Sequence, residues 1–290
     1  MSTPSDPQRE LPGTYPVADR SNEEEMQRLH LQDHLINMSM GGTLPEQPDP
    51  TRFQRVLDVG CGTGGWLIEL AKTYPHISLL IGVDVSGKML DFARAQAARE
   101  GVADRVEFRL MDALRMLEFP NEFFDLVNQR LGASWLRTWD WQKLLQEYLR
   151  IVQLGGVIRI TEADMLPTSP NSPALMQLCD LMLRALYQSG HLFVPNRDGI
   201  VNDLARLLRQ HGVSNVQTRT YVFEYRTGTV EGELMAEDGK RLFRTMQPFL
   251  QKWLRLPKNY DELYQRMLEE MQRPEFVATM RTVTAWGTRE

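Results

Sequence analysis

Val56-Leu57-Asp58-Val59-Gly60-Cys61-Gly62-Thr63-Gly64 decides how the chain is read, because a β-branched run passes without a break into alternating glycines. Residues 55–59 predict a strand, and the glycines predict a loop whose backbone takes positive φ and approaches a ligand closely. Trp66, Leu67, Leu70, Ala71 and Tyr74 then recur at helical spacing, so the loop opens a helix that packs back on the strand. Strand, tight loop and helix in that order begin a parallel α/β arrangement.

Downstream the pattern repeats. Residues 79–85 predict a second strand, and Ser86 caps a helix whose Met89, Leu90, Ala93 and Ala97 form one apolar stripe ended by Gly101. Third and fourth strands are expected at 106–110 and 124–127. Trp141, Leu144, Leu145, Tyr148, Leu149 and Val152 predict a helix stopped by Gly155 and Gly156, ahead of a fifth strand at 157–161. Helices over 169–188 and 202–210, a strand over 216–225, two helical patterns within 230–271 and a last strand over 282–286 complete the run. Upstream, a helix over 23–38 is separated from the sheet by a proline-rich linker, 45–50. The expected division is an arm and lid helix at 1–50, a core at 51–229 with a helical insertion near 166–200, a helical cap at 230–272 and a final core strand at 273–290.

A chain of 290 residues, 42% hydrophobic, can bury a full core. Its 33 basic and 38 acidic residues leave a net charge of −5, without the basic excess that draws phosphate backbones, so no nucleic-acid partner is expected. Cys61 and Cys179 are too few for a disulfide framework and lack zinc-ligand spacing, which predicts a reducing, cytoplasmic setting and no metal. Neither a secretory leader nor the roughly 18–20 apolar residues of a membrane span is visible. A homodimer is left open.

Gly60, Gly62 and Gly65 also satisfy GxGxxG, so a dinucleotide-binding reductase must be weighed. Asp58 discriminates: a carboxylate at the strand end suits a ligand bearing an amino group and a sulfonium better than a pyrophosphate. Asp84 stands 84 − 60 = 24 residues after the first loop glycine, where an acid can take both hydroxyls of a ribose, although it equally suits the N-terminus of the next helix. Asp112, with the amide of Ala113, follows the third strand and could meet an adenine. Three acids ending three successive strands line one edge of the sheet, where open α/β folds bind ligands.

LDVGCGTG, the acid of GVDVS, the Met111-Asp112-Ala113 step and LGGVIRITE together resemble the class I S-adenosylmethionine-dependent methyltransferases. Tyr15-Pro16, the stretch from Glu24 to Leu29 with Gln32 and His34, and the run from Phe124 to Arg130 with Gly132, Ser134 and Trp139-Asp140-Trp141 are similar to the LaeA-like branch. The resemblance implies a Rossmann-like fold, a mostly parallel seven-stranded sheet with helices on both faces, a lid and a helical cap. It implies S-adenosylmethionine as cofactor. It further implies that Gly60, Cys61, Gly62, Thr63 and Gly64 hold the methionine part, Asp84 the ribose, Asp112 and Ala113 the adenine, and the backbone from Gln129 and Arg130 to Gly132 the region near the sulfonium. Asp58, Val85 and Met89 are counted with them. The expected activity is methylation of a small, largely apolar acceptor such as a natural product. A LaeA-type regulator that binds cofactor with little turnover is the alternative.

Asn128-Gln129-Arg130-Leu131 departs from the Asn/Asp-Pro-Pro-Tyr motif that holds planar amines, which argues against a nucleobase acceptor. His191 and His34 are candidate bases, and Tyr15, Trp135 and Trp139 candidate pocket walls, each with a packing role as its ordinary alternative. Glu162 and Asp164 end the fifth strand without a full set of metal oxygens.

Overall fold

A computed structural model describes residues 23–196 and 199–290. Its centre is a seven-stranded sheet: β1 (Arg55–Val59), β2 (Leu79–Asp84), β3 (Val106–Leu110), β4 (Phe124–Arg130), β5 (Val152–Ala163), β6 (Ser214–Arg226) and β7 (Val277–Thr288), in the order β3-β2-β1-β4-β5-β7-β6. The first five strands run parallel, and β7 is antiparallel to both of its neighbours. The order reverses beside β1, so the crevice at its C-terminal end is the topological switch point of the sheet.

Alternation along the strands builds two cores. Val56, Leu80, Phe108 and Leu126 face one side, under α2 (Gly65–Thr73) and α3 (Gly87–Arg99). Leu57, Ile81, Val127 and Ile158 face the other, under α4 (Trp141–Ile151) and α6 (Leu204–Gln210). Ser86 caps α3, its Oγ accepting the Met89 amide at 3.4 Å. A third core lies off the sheet edge. There α1 (Glu23–Met40) and α5 (Pro173–Gln188) meet α7 (Val230–Thr245), α8 (Gln247–Trp253) and α9 (Tyr260–Met271), the three helices that separate β6 from β7.

Several elements differ from expectation. Gly155 and Gly156 do not stop α4, which ends at Ile151; they lie inside β5, whose register with β4 shifts there. Strands β4, β5, β6 and β7 all run longer than their hydrophobic runs, because ladder pairing continues through residues whose side chains carry no apolar signal. Val230–Met271 holds three helices rather than two, since Pro248 in the first turn of α8 restarts the chain after α7. In α1, Leu35, Ile36 and Met40 are buried, whereas Met38 is 43% exposed.

One cross-strand row is polar. Asp58, Asn128 and Arg159 are register partners on β1, β4 and β5 and hydrogen-bond in series: Asn128 Nδ2 donates to Asp58 Oδ1 at 2.7 Å, and Arg159 donates to Asn128 Oδ1 at 2.8 Å. Arg159 is fully buried, and its remaining nitrogens reach Glu46 in the 41–50 segment at 2.7 and 3.2 Å. Burial raises the Glu46 carboxyl, but the adjacent guanidinium more than offsets this and holds it below the ordinary carboxylate range. Replacing Glu46 with Ala strands a buried cation and is expected to cost about 3–5 kcal/mol. A urea midpoint unchanged from wild type would show that the pair is dispensable.

Candidate active site

The pocket opens at the C-terminal ends of β1, β2, β3, β4 and β5. Gly60, Cys61, Gly62 and Thr63 form one wall, with Asp58 beneath and Asp84, Asp112 and Ala113 beyond. Asp84 is tied into the loop: Oδ2 accepts the Gly62 amide at 3.0 Å and Oδ1 the Ser86 amide at 2.9 Å. These two bonds fix the direction of the carboxylate at the end of β2. The Asp112 carboxylate accepts the Leu114 amide at 2.9 Å, closing the turn that holds Ala113 against the cavity.

Helix α1 supplies the roof through Arg28, Leu29, Gln32, Asp33 and Ile36. Its Asp33 carboxylate rests on the first turn of α2, where a Cβ at Gly65 would lie 2.8 Å from Asp33 Oδ2. The same carboxylate pairs with Arg130, which also donates to Asn37 Oδ1 at 3.0 Å. Arg28 holds the far side of the roof to α7 through Asp238 at 3.0 Å.

Beyond β4 and β5 the cavity turns apolar, lined by Leu131, Trp135, Met165, Leu166, Met182 and Met246, with Glu162 at its base. Leu131 has a left-handed backbone, φ 53°, where the chain leaves β4 for the short turn Gly132–Ser134. That conformation is costly for a branched residue and tends to occur where a site demands it.

Residues 56–156 match a family model described as a methyltransferase domain. Residues 56–156 are thus a methyltransferase domain, and the seven-stranded sheet built around them has the class I methyltransferase fold. Its sequence is 30% identical to ajmaline N-methyltransferase of Rauvolfia serpentina over 50% of this chain and 48% of that one. It is 29% identical to the secondary metabolism regulator LAE1 of Pyricularia oryzae over 70% of this chain and 60% of that protein, consistent with the LaeA-like branch. The matched part thus spans less than two thirds of either relative. Among solved structures, phosphoethanolamine N-methyltransferase 2 of Haemonchus contortus superposes with a TM-score of 0.56 at 19% identity, covering 97% of this chain and 61% of that one.

Of the residues expected from the sequence, some reach the pocket and some do not. Asp58, Gly60, Cys61, Gly62, Thr63, Asp84, Val85, Met89, Asp112, Ala113, Arg130 and Trp135 all reach the pocket. The others do not. Gly64 sits beneath the loop, where a Cβ would meet Phe108 at 2.8 Å, and with φ 75° it shapes the turn rather than the wall. Gln129 is buried one layer back, its side chain taken by Tyr148 and Glu162. His191 is buried and bonded to Ser189 at 2.7 Å, edge-on to Phe249, outside the pocket lining. His34 is exposed on the outer face of α1, and Trp139, 67% exposed, lies flat on Gly190. Tyr15 lies outside the described residues. Asp33 and Glu162 were missed as site residues: the first is one polar position on an amphipathic helix, and the second was weighed only as a metal ligand. Among the described residues no cluster of three or more His, Cys, Asp or Glu is placed to hold a metal, and no helix is long and apolar enough to cross a membrane.

Asp58 has an unusual charge balance. Burial drives its carboxyl up, Arg130 and the Asn128 hydrogen bond pull it down, and Asp33 raises it again, leaving it at about 7. The ligand-free folded chain therefore holds a proton on Asp58 between about pH 4 and 7 that the unfolded chain has released, so this group's contribution to stability falls as pH rises through that window. The unfolding free energy of wild type relative to Asp58→Asn is expected to decline from pH 4 to 7 and level above it. A flat difference would show that Asp58 stays ionised.

Proposed function

We propose that the protein transfers the methyl group of S-adenosylmethionine to a small, largely apolar organic acceptor, of the kind found among secondary metabolites. One observation carries this reading: an acid-ringed glycine loop and a chamber of aliphatic and thioether side chains share a single cavity under one helix. In this reading Gly60 to Thr63 contact the methionine part, Asp58 and Asp33 face its amino group, Asp84 binds the ribose and Asp112 with Ala113 the adenine. Arg130 and Leu131 lie toward the sulfonium. The sulfonium is already a good leaving group, so the protein's work is to align the nucleophile about 3–3.5 Å from the methyl carbon and keep water out.

The reading divides the chain as 1–50 arm and lid, 51–229 cofactor core, 230–272 cap and 273–290 closing strand. Buried free thiols at Cys61 and Cys179 support a cytoplasmic setting, and the net charge of −5 gives no support to a nucleic-acid acceptor. Likeness to a fungal regulator of secondary metabolism supports a second reading, in which the domain binds cofactor and acts through other proteins. Tight cofactor binding with no methyl incorporation across a broad acceptor panel would select it.

Replacing Asp84 with Ala is expected to weaken S-adenosylhomocysteine by about 1.5–3 kcal/mol, as loss of a charge-assisted hydrogen bond would. Calorimetry giving wild-type affinity in a folded variant rejects the ribose assignment.

The lid is best tested by a point change, because removing residues 1–40 would uncover the third core through Leu35, Ile36 and Met40. Asp33→Ala frees Arg130 and uncovers the α2 N-terminus while leaving those contacts in place. We expect cofactor affinity and turnover both to fall severalfold with little change in melting temperature. Unchanged affinity and turnover would make α1 a packing helix alone.

A further inference from the structure

We propose that Glu162 takes the proton from the acceptor, and that the acceptor is a neutral apolar molecule presenting a phenolic or enolic hydroxyl; this rests on the methyl-transfer reading above. Glu162 ends β5 and is about 1% exposed, yet it lines the cavity shared by the glycine loop and the apolar chamber. No cation pairs with it among the described residues. Its partners are amides: Ala133 N at 3.3 Å to both oxygens, the Gly132 amide, and Gln129 Nε2 at 3.4 Å, itself held by the Tyr148 hydroxyl at 2.7 Å.

The neighbouring ionisable groups are otherwise engaged. Tyr148 on α4 is spent on Gln129, Asp58 on β1 accepts from Asn128, Arg130 on β4 pairs with Asp33 on α1, and Asp164 pairs with Arg281 of β7 at 2.9 Å. From β7, the register partner of Glu162 is the apolar Val283. Bonds of 3.3–3.4 Å compensate poorly for lost hydration, so burial dominates and pushes the Glu162 carboxyl up to about 8. A carboxylate of that basicity is suited to receive a hydroxyl proton near neutral pH.

Chemistry of the chamber points to a neutral ligand. Met165, Leu166, Met182, Leu242, Met246 and Met280 offer a cation nothing to replace its water, whereas flexible thioethers adapt to a flat or irregular apolar body. In the reaction the hydroxyl oxygen attacks the methyl carbon, forming a C–O bond as the C–S bond breaks. The bonding pair stays on sulfur as the neutral thioether. The hydroxyl proton passes to the Glu162 carboxylate, which returns it to water when product leaves.

The full chain is assayed with labelled S-adenosylmethionine against 4-phenylphenol, its methyl ether and 4-phenylbenzylamine, with S-adenosylhomocysteine affinity measured in parallel. Labelling of the phenol alone is expected, at a rate that rises with pH through about 8 and then levels. Glu162→Gln is expected to bind S-adenosylhomocysteine within about twofold of wild type, lose roughly 100-fold or more in rate, and lose the rise near pH 8. Glu162→Asp should keep the rise at reduced rate, which a merely structural carboxyl would not require. Labelling of the amine instead, no labelling of the phenol by protein that binds S-adenosylhomocysteine, or a Glu162→Gln profile like wild type overturns the proposal. Should Glu162→Gln not fold, a wild-type rate that is flat or falling from about pH 7 to 9 overturns it on its own. Failure of wild type to bind S-adenosylhomocysteine sinks the methyl-transfer reading instead.

Discussion

Arg159 places a guanidinium wholly out of water at the centre of the sheet, and a buried cation survives there only if each direction it points is answered. Glu46 answers from outside the sheet and Asn128 from within it, while the Trp66 ring lies 5.8 Å from the guanidinium carbon. Because Asn128 is an amide, it accepts from Arg159 with its oxygen and donates to Asp58 with its nitrogen. The row thus has a direction, and it ends on the acid beneath the glycine loop. Two consequences follow from one ion pair: the segment joining α1 to the sheet is pinned through Glu46, and the Asp58 carboxyl is aimed before any ligand arrives. That is preorganisation of a kind a mobile side chain could not supply.

The apolar part of the pocket depends on a different constraint. Strands β6 and β7 are long enough to extend past the parallel part of the sheet, and the apolar face of their overhang, with Tyr225 and Ala278, must be covered. Helices α5 and α7–α9 cover it, and α1 closes the remaining gap, so one core both stabilises the cap and forms the chamber wall. Roof and wall are joined by Arg28 to Asp238, and roof and floor by Asp33 to Arg130. Because Leu35, Ile36 and Met40 of α1 belong to that core, displacing the whole helix would expose apolar surface that is buried here.

Much of the sheet was legible in the sequence because short apolar runs bounded by turn residues mark its strands, nearly continuous in the buried Arg55–Val59 and alternating in the edge strand Val106–Leu110, and the ends of both agree with the structure. Where pairing outlasts hydrophobicity, as at Asn128-Gln129-Arg130, the strand was read short, and the side chains doing polar work within it went unread. Glu46 was invisible for a related reason: in a proline-rich stretch an acid looks like a solvated charge, and only its distance from Arg159, 113 positions along the chain, reveals otherwise. The glycine-loop side of the pocket was readable because a single βα unit and two strand ends supply its lining. The apolar side was not, since it draws on residues from α1, β5, α5, α7 and β7, and no spacing rule connects them. The two histidines were chosen on chemical type alone, and burial against Ser189 or exposure on a helix decides their roles instead.

Electrostatics explains why a glycine pattern shared with dinucleotide folds serves another cofactor here. A pyrophosphate needs free loop amides and an uncovered helix N-terminus. In this chain the Gly62 amide is already given to Asp84, and the N-terminus of α2 lies under the Asp33 carboxylate. Asp58 completes a set of three acids around the loop, with Arg130 as the cation drawn against them. An anion entering this ring would meet the Asp33 and Asp84 carboxylates, while an ammonium would find them and draw the Asp58 proton equilibrium toward the ionised form. In the proposed binding mode, a cationic cofactor beside Asp58 is therefore coupled to proton release from it at neutral pH, and the buried row from Glu46 through Arg159 and Asn128 holds that carboxyl in place.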